Sequence, residues 1–410
     1  MKISSWKYVI ALSAALLIHA GIARGATCSV PSVDYPTIQA AVDDATCSIV
    51  DVAPGVYPEN VFISRAVTLN GAQAGQATAS RTSGGPNEST VIGAAPAGDQ
   101  ASFVINASSV TIDGFTVRNA VATGAAIGVQ IRPSNDAAVL NNFIDGITSA
   151  DVGPGGTAIG VHMRNGLLNV NVSSNDIRNV VSNGTATAIQ FGDNDATAGI
   201  DTSIMQNNTI SSITSTLAGA SAVLCLKVSP SPTAFFFQTN HVSNLTGAAY
   251  VHAVDIEAEV QIPLVLSNDF TGLTSASGDV AAIFFNNDPR MFNADCSGNF
   301  FYLPSTAYGI KLQGPSDPTI PPPMNAGCCW WNSPDGPGPV GPGHGCLVSP
   351  NVRYSPWRVA PSADVSTCVG NNLPLTEGDC KTGGWITHVR PDGSSFKSQG
   401  DCVQFINNGK

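Results

Sequence analysis

Gln130, His162, Gln190, Cys225, Asp255, Phe284 and Lys311 fall at equivalent positions of seven short segments in which apolar and polar residues alternate. Two residues further on, the same segments carry Arg132, Arg164, Gly192, Lys227, Glu257, Asn286 and Gln313. If the segments stack as strands, each set is an outward column of side chains. The second column gathers Arg132, Arg164 and Lys227 near one edge, with Asp255 and Glu257 one coil beyond Lys227. Guanidinium and ammonium groups pair well with carboxylates, and a Lys or Arg whose proton affinity is lowered by its neighbours can act as a base. Arg132, Arg164 and Lys227 are therefore the candidate catalytic residues. Gln130, His162, Gln190 and Glu257 are candidate substrate contacts. Asp255 and Glu257 could also hold a calcium ion, which takes oxygen ligands. The competing reading is a solvated face whose charges keep the sheet soluble. A one-residue slip at Cys225 would turn that side chain inward.

An internal repeat must position these columns. Its anchor is an Asn followed by an apolar residue two positions on and another about three further. The anchors are Asn142, Asn175, Asn208, Asn240, Asn268 and Asn299, and they are 33, 33, 32, 28 and 31 residues apart. Repeats of roughly 30 residues signal solenoids or propellers. The period inside each unit is 2, which excludes a helical solenoid, and the propeller signature is missing. Coil-on-coil stacking gives a parallel β-helix, with neighbouring strands about 4.8 Å apart. Each Asn would then sit at one corner and bond to the Asn above and below, as amide ladders do. Residues 36–45 read as a short amphipathic helix with Pro36 near its start, suited to cover the first coil. Residues 49–52 read as the first strand.

Composition agrees. Of 410 residues only 11% are charged, the net charge is −11, and Gly (41) and Pro (27) are abundant. An acidic, charge-poor chain is not a nucleic-acid binder, which needs a basic surface. It is also not a coiled coil, which is rich in Glu, Lys and Arg. Lys2 and Lys7, an apolar run over 8–18 and Ala23-Arg24-Gly25 read as a secretory signal cleaved near Gly25. The run is short of the roughly 20 residues that span a bilayer, and no later segment qualifies. A secreted or periplasmic location follows. Ten cysteines lie beyond the signal, at 28, 47, 225, 296, 328, 329, 346, 368, 380 and 402. An even set in an exported protein favours disulfides. Cys28 and Cys47 form a plausible local pair, and the last six would staple the C-terminal region.

Tyr35-Pro36-Thr37-Ile38-Gln39-Ala40-Ala41-Val42, with Val50-Asp51-Val52-Ala53-Pro54-Gly55-Val56-Tyr57-Pro58-Glu59-Asn60-Val61, resembles the opening of pectin-lyase-like right-handed β-helix proteins. Cys329-Trp330-Trp331-Asn332, the Gly/Pro run over 336–343 and Tyr354-Ser355-Pro356-Trp357 resemble the closing segment of secreted bacterial right-handed β-helix repeat proteins. Cys380, Gly383-Gly384-Trp385, Phe396 and Gly400-Asp401-Cys402-Val403 resemble a short Cys-paired tail of such proteins. The resemblance implies an all-β, right-handed parallel β-helix with a short N-terminal capping helix and a small Cys-rich C-terminal tail. The expected organisation is a signal at 1–25, the β-helix over 26–366 and a linker with tail over 367–410.

This superfamily holds lyases, hydrolases, esterases and non-catalytic members, so fold does not fix activity. The esterase segments are missing. Gly343-His344-Gly345 resembles a polygalacturonase motif but lies in a Pro/Gly loop. Asp193 with Asp195, or Asp255 with Glu257, could be offered as hydrolytic acids. No phosphate loop, H-E-x-x-H or nucleophile elbow is present. The expected function is binding, and cleavage by β-elimination, of an extracellular acidic polysaccharide. The alternative is a non-catalytic surface or matrix protein serving adhesion.

Overall fold

The computed structural model describes residues 25–93, 101–119, 123–132, 134–164, 167, 169–192, 202–226, 234–257, 263–286, 294–313, 324–339, 343–350, 352–368, 374, 376–388 and 396–408. Within them the chain winds as a parallel β-solenoid. Each coil gives one strand to each of three sheets, of nine, nine and eleven strands. One coil, for example, runs from Val170–Ser173 in the first sheet through Asp176–Ser182 in the second to Thr185–Phe191 in the third. The strands form because their inward positions are β-branched or aromatic and stack in register. In the third sheet Val129, Val161, Ile189, Val223, Val254, Ile283 and Ile310 make one fully buried file.

The expected asparagine ladder is present and sets the corner between the first and second sheets. Asn142, Asn175, Asn208, Asn240, Asn268 and Asn299 are all buried. From Asn175 onward each side-chain carbonyl accepts twice from the Asn one coil earlier. Asn208 Oδ1 takes Asn175 N at 3.0 Å and Asn175 Nδ2 at 3.1 Å. Up to Asn268 each amide donates both forward and back: Asn208 Nδ2 reaches Asn240 Oδ1 at 3.0 Å and the Val172 carbonyl at 2.9 Å. The residue before each Asn turns the corner in the left-handed region, with φ of 51° at Asn141, 59° at Ser174, 55° at Asn207 and 53° at Thr239.

The capping helix forms at Ile38–Asp43, buries Ile38, Ala41 and Val42, and is N-capped by Thr37. It closes the open edge of the third sheet. Gln39 exchanges amide hydrogen bonds with the Phe62 backbone, donating to its carbonyl at 3.1 Å and accepting from its N–H at 2.7 Å. Arg65 caps the helix end by donating to the Val42 and Ala41 carbonyls. The first strand is not the one expected. Cys47–Val52 is preceded by Ala26–Val30, which pairs with it in parallel. The Cys28–Cys47 disulfide staples the two. At the other end Trp331 and Trp357 are fully buried, and Trp331 packs 5.0 Å from the Phe301 ring.

Cys328–Cys368 and Cys380–Cys402 are the other disulfides among the described residues. The expectation that all of the last six cysteines staple the C-terminal region therefore needs correcting. Cys329 and Cys346 are buried thiols, as are Cys225 and Cys296. Cys328 lies at a turn in the left-handed region, φ 56°, and bonds to Cys368, while Cys329 after it is buried in the core. Burial pushes the Cys329 thiol up to about 12, which keeps it inert. Cys380, Phe396 and Cys402 form a small separate core among the helices Glu377–Cys380, Gly384–Thr387 and Gln399–Asn408. No helix among the described residues is long and apolar enough to cross a membrane.

The ladder makes a testable demand. Asn208→Ala removes an acceptor shared by two buried donors and leaves the Asn240 and Val172 acceptors short. It should lower unfolding stability by about 3 kcal/mol in a denaturant titration, since each orphaned buried group costs roughly 1–3 kcal/mol. Asn207→Gly, at the adjacent exposed residue with positive φ, should stay within about 1 kcal/mol.

Candidate functional site

The third sheet carries the sequence-predicted residues, and its register is Gln130, His162, Gln190, Leu224, Asp255, Phe284, Lys311. The outward column thus stands as expected at six of seven positions. The slip falls at Cys225, which faces the core, so Leu224 takes its place. Ala222-Val223-Leu224-Cys225 is apolar throughout, so no pattern distinguishes its two faces. In the next column Leu226 occupies the place expected for Lys227, as its N–H bonds Phe191 O in the way Gly192 bonds Met163 O and Glu257 bonds Cys225 O. Lys227 itself lies outside the described residues, as do Asp193 and Asp195.

The structure does not bring Arg132 or Arg164 to the carboxylates. Arg164 stands three coils from Asp255 and Arg132 four, roughly 14 and 19 Å at about 4.8 Å per coil. Arg132 instead donates to Gln130 Oε1 at 2.9 Å and lies over the Phe62 ring. Gln190 contacts His162 Nε2 at 3.2 Å. Gln130, His162 and Gln190 are all buried.

The structure gathers a different set around Asp255. His252, on the same strand Tyr250–Ile256, directs Nδ1 to Asp255 Oδ2 at 3.1 Å. Its Nε2 stands 3.5 Å from Asp279 Oδ1, without hydrogen-bond geometry. Lys311 Nζ donates to that same Asp279 oxygen at 2.7 Å. The imidazole is stacked between Tyr250, at 4.7 Å, and Phe284, at 3.9 Å. Lys311 also lies over the Phe284 and Tyr308 rings. The network grades from buried to open: Asp255 is 1% exposed and His252 5%, whereas the Asp279 side chain is 38% exposed.

His252, Asp279 and Lys311 were not assigned a role from sequence, and the reason is geometric. Strict alternation puts residues three apart on opposite faces. In this sheet two consecutive residues of every strand, Ala253 and Val254 here, both face the core. The extra inward residue returns position 252 to the same face as 255. A signal for it exists: the first of the two inward residues is always small, Gly128, Gly160, Ala188, Ala222, Ala253, Ala282 and Gly309. At Gly160 an added Cβ would lie 2.6 Å from the Ala188 carbonyl oxygen.

The electrostatics follow the contacts. Burial works to raise the Asp279 carboxyl, but the Lys311 hydrogen bond and the His252 and Lys311 charges hold it below the ordinary range. Burial raises Glu257, and Asp255 adds to it against the opposing pull of His252. Burial, then Asp255 and Glu257, pushes the Tyr250 phenol up to about 12. A calcium ion does not fit here. It takes roughly six to eight oxygens, one Asp255 oxygen is engaged by His252, and no group of three or more potential ligands is assembled among the described residues.

Lys311→Met should move the Asp279 titration upward, followed by carboxyl NMR signals. Asp279 is depressed in the folded state, so its contribution to stability is present above the ordinary carboxylate pKa. It is lost as pH falls through the lowered value, and in the variant the contribution should be smaller and its loss complete at a higher pH.

No family model matches the chain, and comparison with curated proteins and with solved structures finds no similar protein.

Proposed function

We propose that this is an exported polysaccharide-binding protein of the pectin-lyase-like, secreted bacterial type, and that it cleaves an acidic glycan by proton transfer at His252. The observation that carries this reading is the buried Asp255–His252 pair opening onto the half-exposed Asp279–Lys311 pair. A carboxylate at Nδ1 fixes the tautomer and leaves Nε2 as the base, an atom shut from solvent beside Asp279 until a substrate carboxylate displaces that side chain. β-Elimination requires removal of the proton beside a uronate carboxylate, neutralisation of the charge that builds there, and return of a proton to the departing glycosidic oxygen. His252 takes the first proton, and the imidazolium so formed returns it to the departing glycosidic oxygen. Lys311 supplies the neutralising charge when the substrate carboxylate replaces Asp279 as its partner.

Export is supported by the N-terminal signal and is compatible with the disulfides. The family assignment rests on the motif resemblance at the two ends of the solenoid.

A second reading, a non-catalytic adhesion or matrix protein, is favoured by one feature: His252, Asp255, Asp279 and Lys311 each already face an opposite charge.

Incubation with polygalacturonate and with alginate, with and without calcium, separates the two. Unsaturated product should appear by ultraviolet absorbance, and His252→Ala should lower its rate by about 100-fold or more. Silence across a broad polysaccharide panel, with His252→Ala binding as the wild type does, would establish the adhesion reading instead.

A further inference from the structure

The second sheet carries another charged cluster, on a different face from His252. The connection over 71–88 lies against the outward residues of this sheet and is pinned there by Arg81. Arg81 donates to Glu88 at 3.0 and 2.6 Å and to the Asn141 carbonyl at 2.5 Å, and both members of the ion pair are buried. Arg81 is thus fully engaged in holding the fold.

Arg118 beside it is not. Its side chain is 38% exposed. The acceptors around it are Ser83 Oγ at 3.4 Å, the Ser83 carbonyl at 3.5 Å and Asp145 Oδ2 at 3.7 Å. All are long against the roughly 2.7–2.9 Å of a charge-assisted hydrogen bond. The loop nevertheless shapes itself around the guanidinium. Gly84 sits at φ +65°, and a Cβ there would lie 2.8 Å from Arg118 Nη2.

Arg178 approaches the same Asp145 oxygen from the next coil, with Nε at 3.3 Å, and directs Nη1 to Asp176 Oδ2 at 3.2 Å. Its plane is set by stacking over Phe143 at 5.0 Å. Asp145 is already served through its other oxygen by Asn179 at 2.7 Å. Asp176 Oδ1 is shut from solvent without a hydrogen-bond partner. Two half-exposed guanidinia therefore flank one carboxylate oxygen, positioned by a loop and an aromatic ring, and both retain unused N–H donors.

We propose that Arg118 and Arg178 form a binding site for a single oxyanion group at the rim where the 71–88 loop meets the second sheet. The ligand class is a sulfate, phosphate or carboxylate group borne by an extracellular molecule. The planar fork of each arginine selects such a group over a point charge. This site is independent of the chemistry at His252.

Calorimetric titration at low salt with inorganic sulfate, inorganic phosphate, dextran sulfate and polygalacturonate identifies the source of the group. At least one probe should bind saturably. Arg118→Gln should weaken that binding by about tenfold or more, as loss of a charged hydrogen bond does. Arg118→Lys, which keeps the charge and a folded loop, should weaken it by severalfold. Product formation dependent on His252 should be unchanged in both. Absence of saturable binding by every probe, or binding that both Arg118 variants leave intact while their thermal midpoints match wild type, overturns the proposal. If Arg118→Gln fails to fold, the Arg118→Lys titration decides alone.

Discussion

The fold depends on how one corner of each coil handles its backbone. A solenoid turning from one sheet into the next leaves N–H and C=O groups facing inward, where water cannot reach them. Orphaned in that way, each group carries a desolvation cost. The asparagine file removes that cost by placing an amide, which both donates and accepts, where each corner needs both. Because each Asn bonds to the coils on either side, the solution works only if every coil repeats it. The ladder therefore imposes the register, and the register makes columns of side chains on the outer faces possible.

This explains why the fold was readable in the sequence. The ladder demands one residue type at one place per coil, and the spacing of Asn142 to Asn299 survives changes in the connections. The capping helix was readable for a similar reason, since it must bury one face and start at a cap. The first strand was missed because Ala26–Val30 buries only Cys28 and Val30, so no apolar pattern stands out, and its link to Cys47–Val52 is a disulfide rather than a sequence period.

The candidate site was only half readable. Asp255 was found because it lies in phase with Gln130, His162 and Gln190, and Glu257 because it lies in phase with Arg132 and Arg164. His252 was lost to the doubled inward step in each strand of the third sheet, and Asp279 lies at a turn before the strand Val280–Asn286, where no period applies. Arg132 and Arg164 stand away from Asp255 for a simpler reason: in-phase residues share a face, but each coil separates them by a further 4.8 Å or so. Phase alone says nothing about reach, and Arg164 is too many coils from Asp255 for the two to act together.

A repeating fold also supplies its own controls. The position of His252 is occupied in other coils by Ile127, Ile159, Thr187, Ser221, Ala281 and Tyr308, and that of Asp255 by Gln130, His162, Gln190, Leu224, Phe284 and Lys311. No other coil places a carboxylate at either position, so nothing in the stacking requires one. Burying an acid is unfavourable unless it is paired and bonded, and Asp255 keeps one oxygen, Oδ1, without a partner. Replacing a buried charged pair by apolar residues of similar volume is often neutral or stabilising. Retention of this imidazole–carboxylate pair against that gradient, beside an Asp279–Lys311 pair that solvent can reach, therefore argues for chemistry at the site rather than for support of the coil.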